Sequence, residues 1–268
     1  MATKAGTAGK AAAQDARGSK TLEMLARAGY AVSGLLHLLV GFLAVQVATG
    51  SASSSEADQS GALSEVAQTP GGVVVLWFAV VAFVALGVWQ VLVAASGTLE
   101  TSDRLKSAGK AVLYVALAFL SLQFAMGSGS SSGKEESFTA SIMSNPAGQV
   151  LVGAVGVGIV VSGIYHVVKG WRKKFLEDLR GNARGQLGSA VVVLGRVGYI
   201  AKGVALGVLG GLFVTAALQS DPEKAGGLDD AFGTIASQPF GPFLLGAVGV
   251  GFAAYGLYSF ARARYARM

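Results

Sequence analysis

The chain has no cysteine, five prolines, two histidines and only 13% charged residues in 268. The missing thiol excludes disulfides, thiolate metal sites, iron–sulfur clusters and cysteine nucleophiles together. The scarcity of charge, set beside 52% hydrophobic residues and a mean hydropathy of +0.56, places the chain outside the balance of soluble domains. The net charge of +6 does not signal nucleic acid, because the cations cluster at the ends of apolar runs. No nucleic-acid partner is expected.

Six runs are long enough for a bilayer about 30 Å thick, which takes roughly 20 helical residues. They cover Ala26–Ala48, Gly72–Ala95, Ala108–Met126, Gly148–Val168, Val197–Leu218 and Pro242–Phe260. They are continuously apolar and about twice the length of a barrel strand, so the expected fold is an all-α integral membrane bundle of six transmembrane helices. Lys110 lies inside the third run, one turn from its end, where its ammonium can snorkel to the headgroups.

The connections alternate in chemistry. Only Lys134 and Lys224 fall on the loops at 49–71, 127–147 and 219–241, and the other 19 of 21 Lys and Arg lie on the side of the termini. This asymmetry puts both termini in the cytoplasm and the acidic loops outside. Residues 1–21 read as a flexible basic cytoplasmic tail.

The first third of the chain recurs in the last at an offset of 169. Leu25, Arg27, Gly29, Tyr30, Gly34 and Gly41 return as Leu194, Arg196, Gly198, Tyr199, Gly203 and Gly210. A middle copy registers at its second helix. Pro70, Gly72, Gly87, Trp89 and Gln90 match Pro146, Gly148, Gly163, Tyr165 and His166, then Pro239, Gly241, Gly256, Tyr258 and Ser259. In its first helix the middle copy carries Ser107 and Lys110 where Arg and Tyr are expected, and Tyr114 and Ser121 where Gly34 and Gly41 stand. The units are 22–98, 99–174 and 185–268, each an even number of spans, so the repeats are parallel and the expected arrangement is pseudo-threefold. Before each proline, Ala62, Leu63, Val66 and Ala67, then Phe138, Ile142 and Met143, then Leu228, Ala231, Phe232, Ile235 and Ala236, fall at helical spacing. Each set predicts a short amphipathic helix on the outer face.

The openings Arg196-Val197-Gly198-Tyr199, the Gln238-Pro239-Phe240-Gly241 junction and the Gly256-Leu257-Tyr258 ending resemble the bacterial multi-pass membrane family called domain of unknown function 1206. The resemblance implies three tandem helix pairs in the bacterial cytoplasmic membrane, and no activity.

Intramembrane polar residues are the candidates for function. His37 lies mid-span, while His166 and Gln90 share one slot near the inner end of the second helices. Without Asp or Glu in any span as a relay partner, interhelical hydrogen bonding is the expected role. The two histidines differ in depth by roughly 13 Å at 1.5 Å per residue, which excludes joint ligation of haem or metal, and no cofactor is expected. Arg27, Arg196 and Lys202, near the inner ends of the first and fifth spans, are candidate lipid-headgroup contacts. Gly34, Gly41, the ladder Gly203, Gly207 and Gly211, and Gly153, Gly156, Gly246 and Gly249 are expected packing positions, because small faces let helices approach closely. No hydrolase, kinase or protease constellation is present. The expected function is a non-enzymatic structural or accessory membrane protein whose partners are lipids and another membrane protein or a second copy. A small-solute, ion or lipid transporter or channel is the alternative.

The charge asymmetry has a direct test. In this cysteine-free chain, single cysteines at Ser54, Ser131 and Asp229 should label with a membrane-impermeant thiol reagent on intact cells, and those at Ser102 and Asn182 should not. Labelling of the second pair without permeabilisation would reverse the orientation.

Overall fold

The computed structural model describes residues 20–52, 57–95, 101–128, 140–179 and 188–266. Six long helices, α1 (Lys20–Ala48), α3 (Gly72–Ala95), α4 (Thr101–Ala125), α5 (Pro146–Trp171), α6 (Gly188–Gln219) and α8 (Gly241–Tyr265), are joined by α2 (Gln59–Gln68) and α7 (Leu228–Ala236). All six long helices are apolar enough to cross a membrane. Among the described residues there is no strand, only one isolated bridge between Leu179 and Ala266. Residues 1–19 and Ser54, Ser131, Phe138 and Asn182 lie outside the described residues. Three helices start well before their apolar runs, α1 at Lys20, α4 at Thr101 and α6 at Gly188.

The helix starts follow from local chemistry. Asn145 accepts a hydrogen bond from the Gly148 N–H at 2.9 Å, with Pro146 in the first turn of α5. Asp58 caps α2 by accepting from the Gly61 N–H at 2.7 Å, and Asp230 accepts from the Gly227 N–H at the start of α7. Each cap satisfies a donor that the helix itself cannot. The glycine after each proline serves one purpose throughout. A Cβ on Gly72, Gly148 or Gly241 would strike the carbonyl oxygen of Val66, Ile142 or Ala236, so the preceding segment can lie across the start of each second helix.

α2 and α7 press their apolar faces inward at the end of the bundle opposite the termini, burying Ala62, Leu63, Ala231, Phe232 and Ile235. Their N-terminal turns meet there. Burial, reinforced by the charges of Asp230 and Asp58, pushes the Asp229 carboxyl up to about 6. Asp229 is only 8% exposed, which corrects its choice as a labelling position; the exposed Ser237 is its substitute.

Packing is strongest between consecutive units. The first helix of each unit rests on the second helix of the unit before it, cyclically: α1 on α8, α4 on α3, and α6 on α5. Within units α1 packs on α3 and α6 on α8, but among the described residues α4 and α5 share no extensive contact. The contacts therefore run in the order α4, α3, α1, α8, α6, α5, which leaves a slot between the two helices of the middle unit among the described residues. Only 17% of the apolar stretch of α5 is buried, against 56% for α8, consistent with α5 at one edge of that slot.

Two of the three inter-unit contacts bring backbones together. A Cβ on Gly256 would lie 2.6 Å from the Gly34 oxygen, and one on Gly41 would lie 2.6 Å from the Gly249 oxygen. Across α5 and α6 the same holds for Gly163 against the Gly203 oxygen at 2.7 Å and for Gly210 against the Gly156 oxygen at 2.7 Å. The third contact is looser, with the Ala111 oxygen 3.8 Å from a Cβ on Gly87.

Two of the expected packing glycines need correction. A Cβ on Gly207 or Gly211 meets nothing within 4 Å, and Gly210 takes their place. The reason is rotational: at 3.6 residues per turn a four-residue step drifts about 40° from the starting face, whereas a seven-residue step returns to within about 20°. Gly246 makes only an ordinary contact with Ala48, while Gly153 is closer to the Ala217 side chain. Replacing Gly256 by Leu should therefore lower stability in detergent by at least about 1–3 kcal/mol, while Gly207→Leu should be nearly neutral. Thermal unfolding of the two proteins checks this, and equal melting temperatures would refute the assigned faces.

Candidate functional site

The glycine contacts fix a register that the sequence comparison missed. A Cβ on Gly256 meets the Gly34 oxygen and one on Gly163 the Gly203 oxygen, while one on Gly87 lies 3.5 Å from the Val115 side chain and 3.8 Å from its nearest backbone oxygen, that of Ala111. Ala111, and not Tyr114, is thus the counterpart of Gly34 and Gly203, a shift of three residues. In this register Arg104 matches Arg27 and Arg196.

The three arginines act alike. The Arg27 guanidinium donates to the carbonyls of Ala263, Arg264 and Ala266 at 3.0, 2.5 and 3.1 Å, and to Glu23 at 2.8 Å. It thereby caps the last turn of α8, where carbonyls lack helical partners. Arg104 donates to the Ala94 carbonyl of α3 at 3.0 Å, and Arg196 lies 4.8 Å from the Trp171 ring at the end of α5. Each tethers its helix to the end of the preceding unit. Arg27 and Arg196, expected at lipid headgroups, each make such a contact within the protein.

The same register brings Ser33, Lys110 and Lys202 to equivalent positions. Lys202 is not a lone anchor at the inner end of its span, because its ammonium turns inward to α1. Counted from Gly188 it lies near the middle of α6, and its Nζ is 2.9 Å from Nε2 of His37 on α1. The Nδ1–H of His37 donates to the Ser33 carbonyl at 2.7 Å. A carbonyl only accepts, so Nε2 is left as the acceptor for the lysine ammonium. The ammonium also lies 4.6 Å from the centroid of the Tyr255 ring, whose quadrupole attracts cations. Tyr255 in turn approaches His37 at 4.7 Å. An ammonium inside a membrane bundle is costly to bury, and the hydrogen bond and ring contact offset part of that.

An aromatic shell surrounds the pair on the side of the termini. Tyr199 packs against Tyr255, Tyr258 and Phe175 at 5.2, 5.6 and 5.4 Å, and the Tyr258 hydroxyl donates to the Phe175 carbonyl at 3.0 Å. His166 stacks on Tyr199 at 5.7 Å, and its Nδ1–H donates to the Ser162 carbonyl at 2.7 Å. Gln90 is buried at the inner end of α3. Toward the terminal face, Lys169 binds Asp178 at 2.6 Å. Burial acts to raise the Asp178 carboxyl, but the charges of Arg262 and Lys169 outweigh it and hold the group below the usual carboxylate range. Arg262 lies 4.4 Å from the Tyr30 ring, and its buried Nε has no hydrogen-bond partner among the described residues.

This arrangement can bind negative charge and donate hydrogen bonds. Among the described residues it gathers Lys202, Lys169 and Arg262 with the carboxylate of Asp178, paired to Lys169. Among the described residues no three His, Asp or Glu side chains cluster as metal ligands. Lys202 and Arg262 were not legible as interior groups in the sequence. The usable signal was the repeat register, which aligns Lys202 with Lys110 once Ala111 is set against Gly34.

Fold and site together define a helical repeat protein with six membrane-compatible helices. The chain belongs to the family described as Domain of Unknown Function (DUF1206), whose model matches residues 28–97, 105–173 and 197–266. The starts of those matches are offset by 77 and 169, the same register that the glycine contacts give. The chain is also 28% identical over 255 residues to the uncharacterised protein YxxB of Bacillus subtilis (strain 168), covering 92% of each chain. No solved structure matches it.

The Lys202–His37 bond predicts coupling between the two residues. His37→Leu leaves a buried ammonium without its acceptor and should cost about 1–3 kcal/mol, and Lys202→Met should cost less. The double variant should be more stable than the sum of the two losses implies. Strict additivity in unfolding measurements would show that the bond carries no weight.

Proposed function

We propose that this chain is a non-enzymatic protein of the bacterial cytoplasmic membrane, with cytoplasmic termini and a pseudo-threefold ring of helix pairs that holds lipid or partner helices without conducting solute. The symmetry is supported by the cyclic packing of α1 on α8, α4 on α3 and α6 on α5 and by the matching tethers of Arg27, Arg104 and Arg196. The orientation is supported by the placement of 19 of 21 cations on the side of the termini.

The observation that carries the non-conducting reading is a continuous apolar plug. Phe232 of the surface helix α7 meets Phe252 at 5.4 Å, and Phe252 stacks on His37 at 5.9 Å. Leu63, Leu76, Phe83, Leu245 and Val40 are fully buried as well. These side chains pack in succession from the outer end down to the polar pair, which supports a path closed to water at that end. The buried Lys202–His37 pair is the feature that favours a transporter as the second reading.

Proteoliposomes separate the two. The wild-type protein should show no pH-driven ion or solute flux above that of protein-free vesicles, and His37→Gln should leave this baseline unchanged. A flux that is abolished by His37→Gln in a folded protein would establish the transporter instead.

A further inference from the structure

The ring is plugged at one end but open at its side, and its interior cations face that opening. Lys110 is exposed on α4, and the register of the inter-unit contacts sets it at the position that Lys202 holds on α6. This places Lys110 at the slot between α4 and α5, on the side facing the polar pair. Lys169 of α5 and Lys202 of α6 lie 5.3 and 4.6 Å from the neighbouring rings of Tyr199 and Tyr255. Four cations from four different helices therefore converge here. Asp178, already paired with Lys169, is the carboxylate set against them. Arg262 brings a buried Nε that lacks an acceptor.

An anion from outside the chain would complete a site of this kind. The way in is lateral, because Phe232, Phe252 and Leu63 close the far end, whereas among the described residues α4 and α5 share no extensive contact. Both helices bordering the slot are apolar on their surfaces, exposing Leu113 and Phe119 on α4 and Val157 and Val161 on α5. A free phosphate would find no favourable path along such walls. A molecule with an anionic head and apolar tails would, since its tails can stay among the helices and the lipid while the head meets the cations.

We propose that the slot between α4 and α5 admits an anionic phospholipid, whose headgroup phosphate is held inside the ring by Lys110, Lys202 and Arg262. This inference rests on the membrane-embedded ring of the preceding section and adds the chemical class of what it holds. Charge-assisted hydrogen bonds from ammonium and guanidinium donors are the strongest available to a phosphate oxygen. The guanidinium also offers the free Nε–H.

The test uses the full-length protein purified in mild detergent, with bound lipid counted by native mass spectrometry. Phosphatidylglycerol should occupy one site at least tenfold more tightly than phosphatidylcholine, which carries the same phosphate without net charge. Lys110→Met, an exposed substitution that leaves the packed contacts in place, should weaken phosphatidylglycerol about tenfold. Lys174→Met, a surface cation beyond the ring, should leave it unchanged. Inorganic phosphate at millimolar concentration should not displace the lipid. Equal affinity for the two lipids, indifference to Lys110→Met, an equal loss in Lys174→Met, or displacement by inorganic phosphate would each overturn the proposal. These outcomes are independent of the flux measurement, so the lipid site and the non-conducting ring can fail separately.

Discussion

Contact between helix backbones is the constraint on which the remaining features depend. Where Gly34 meets Gly256 and Gly203 meets Gly163, a single methyl group would be driven against a carbonyl oxygen. In lipid no hydrophobic force favours helix association, so van der Waals packing of this closeness has to supply it. The glycine pairs fix the relative height of neighbouring helices to within a residue. That height brings Lys202 opposite His37 and sets each arginine beside the end of the preceding unit. A slip of one turn would move the ammonium about 5 Å along the axis and leave it with no acceptor.

Much of this was written in the pattern of the sequence. The six spans, the three units and the paired glycines follow from hydropathy and self-similarity, and they correspond to six long helices and three family matches. The interior polar site was less legible, for a reason of counting. The apolar run that suggests the fifth span begins at Val197, so Lys202 reads as an anchor near a membrane surface. The helix itself begins at Gly188, and the same lysine becomes a mid-helix residue. Lys110 was displaced in the same way, because α4 starts at Thr101 and not at Ala108. Hydropathy locates where a helix is apolar, not where its backbone hydrogen bonds begin, and a charge near the edge of an apolar run is ambiguous between the two.

The middle unit was hardest to align because it lacks the glycines that mark the others. Ala111 and Ala118 stand where Gly34 and Gly41 are found, and the contact they make with α3 is looser by about an ångström. A register based on side-chain type set Tyr114 against Gly34, but tertiary contact sets Ala111 there. The three-residue correction is nearly one helical turn, so the face assigned to each residue was almost unchanged while its height was not. Depth decides which polar groups share a level, and so this small error concealed the equivalence of Ser33, Lys110 and Lys202.

The departures from symmetry carry more functional meaning than the symmetry. A uniform ring with glycine at every inter-unit contact would close on itself and bury its interior. Here two interfaces are tight, one is looser, and the two helices of the middle unit stand apart. The equivalent positions have diverged to serine in the first unit and lysine in the other two, and the lysines face an interior that holds the carboxylate of Asp178. Of the two, Lys202 is satisfied by His37 and Tyr255 from helices on the closed side, whereas Lys110 stands at the opening. A closed, fully paired interior would need neither the second lysine nor the free Nε of Arg262. Their survival beside the open slot is what a site completed by an external anion requires, and it ties the asymmetry of the fold to binding from the plane of the membrane.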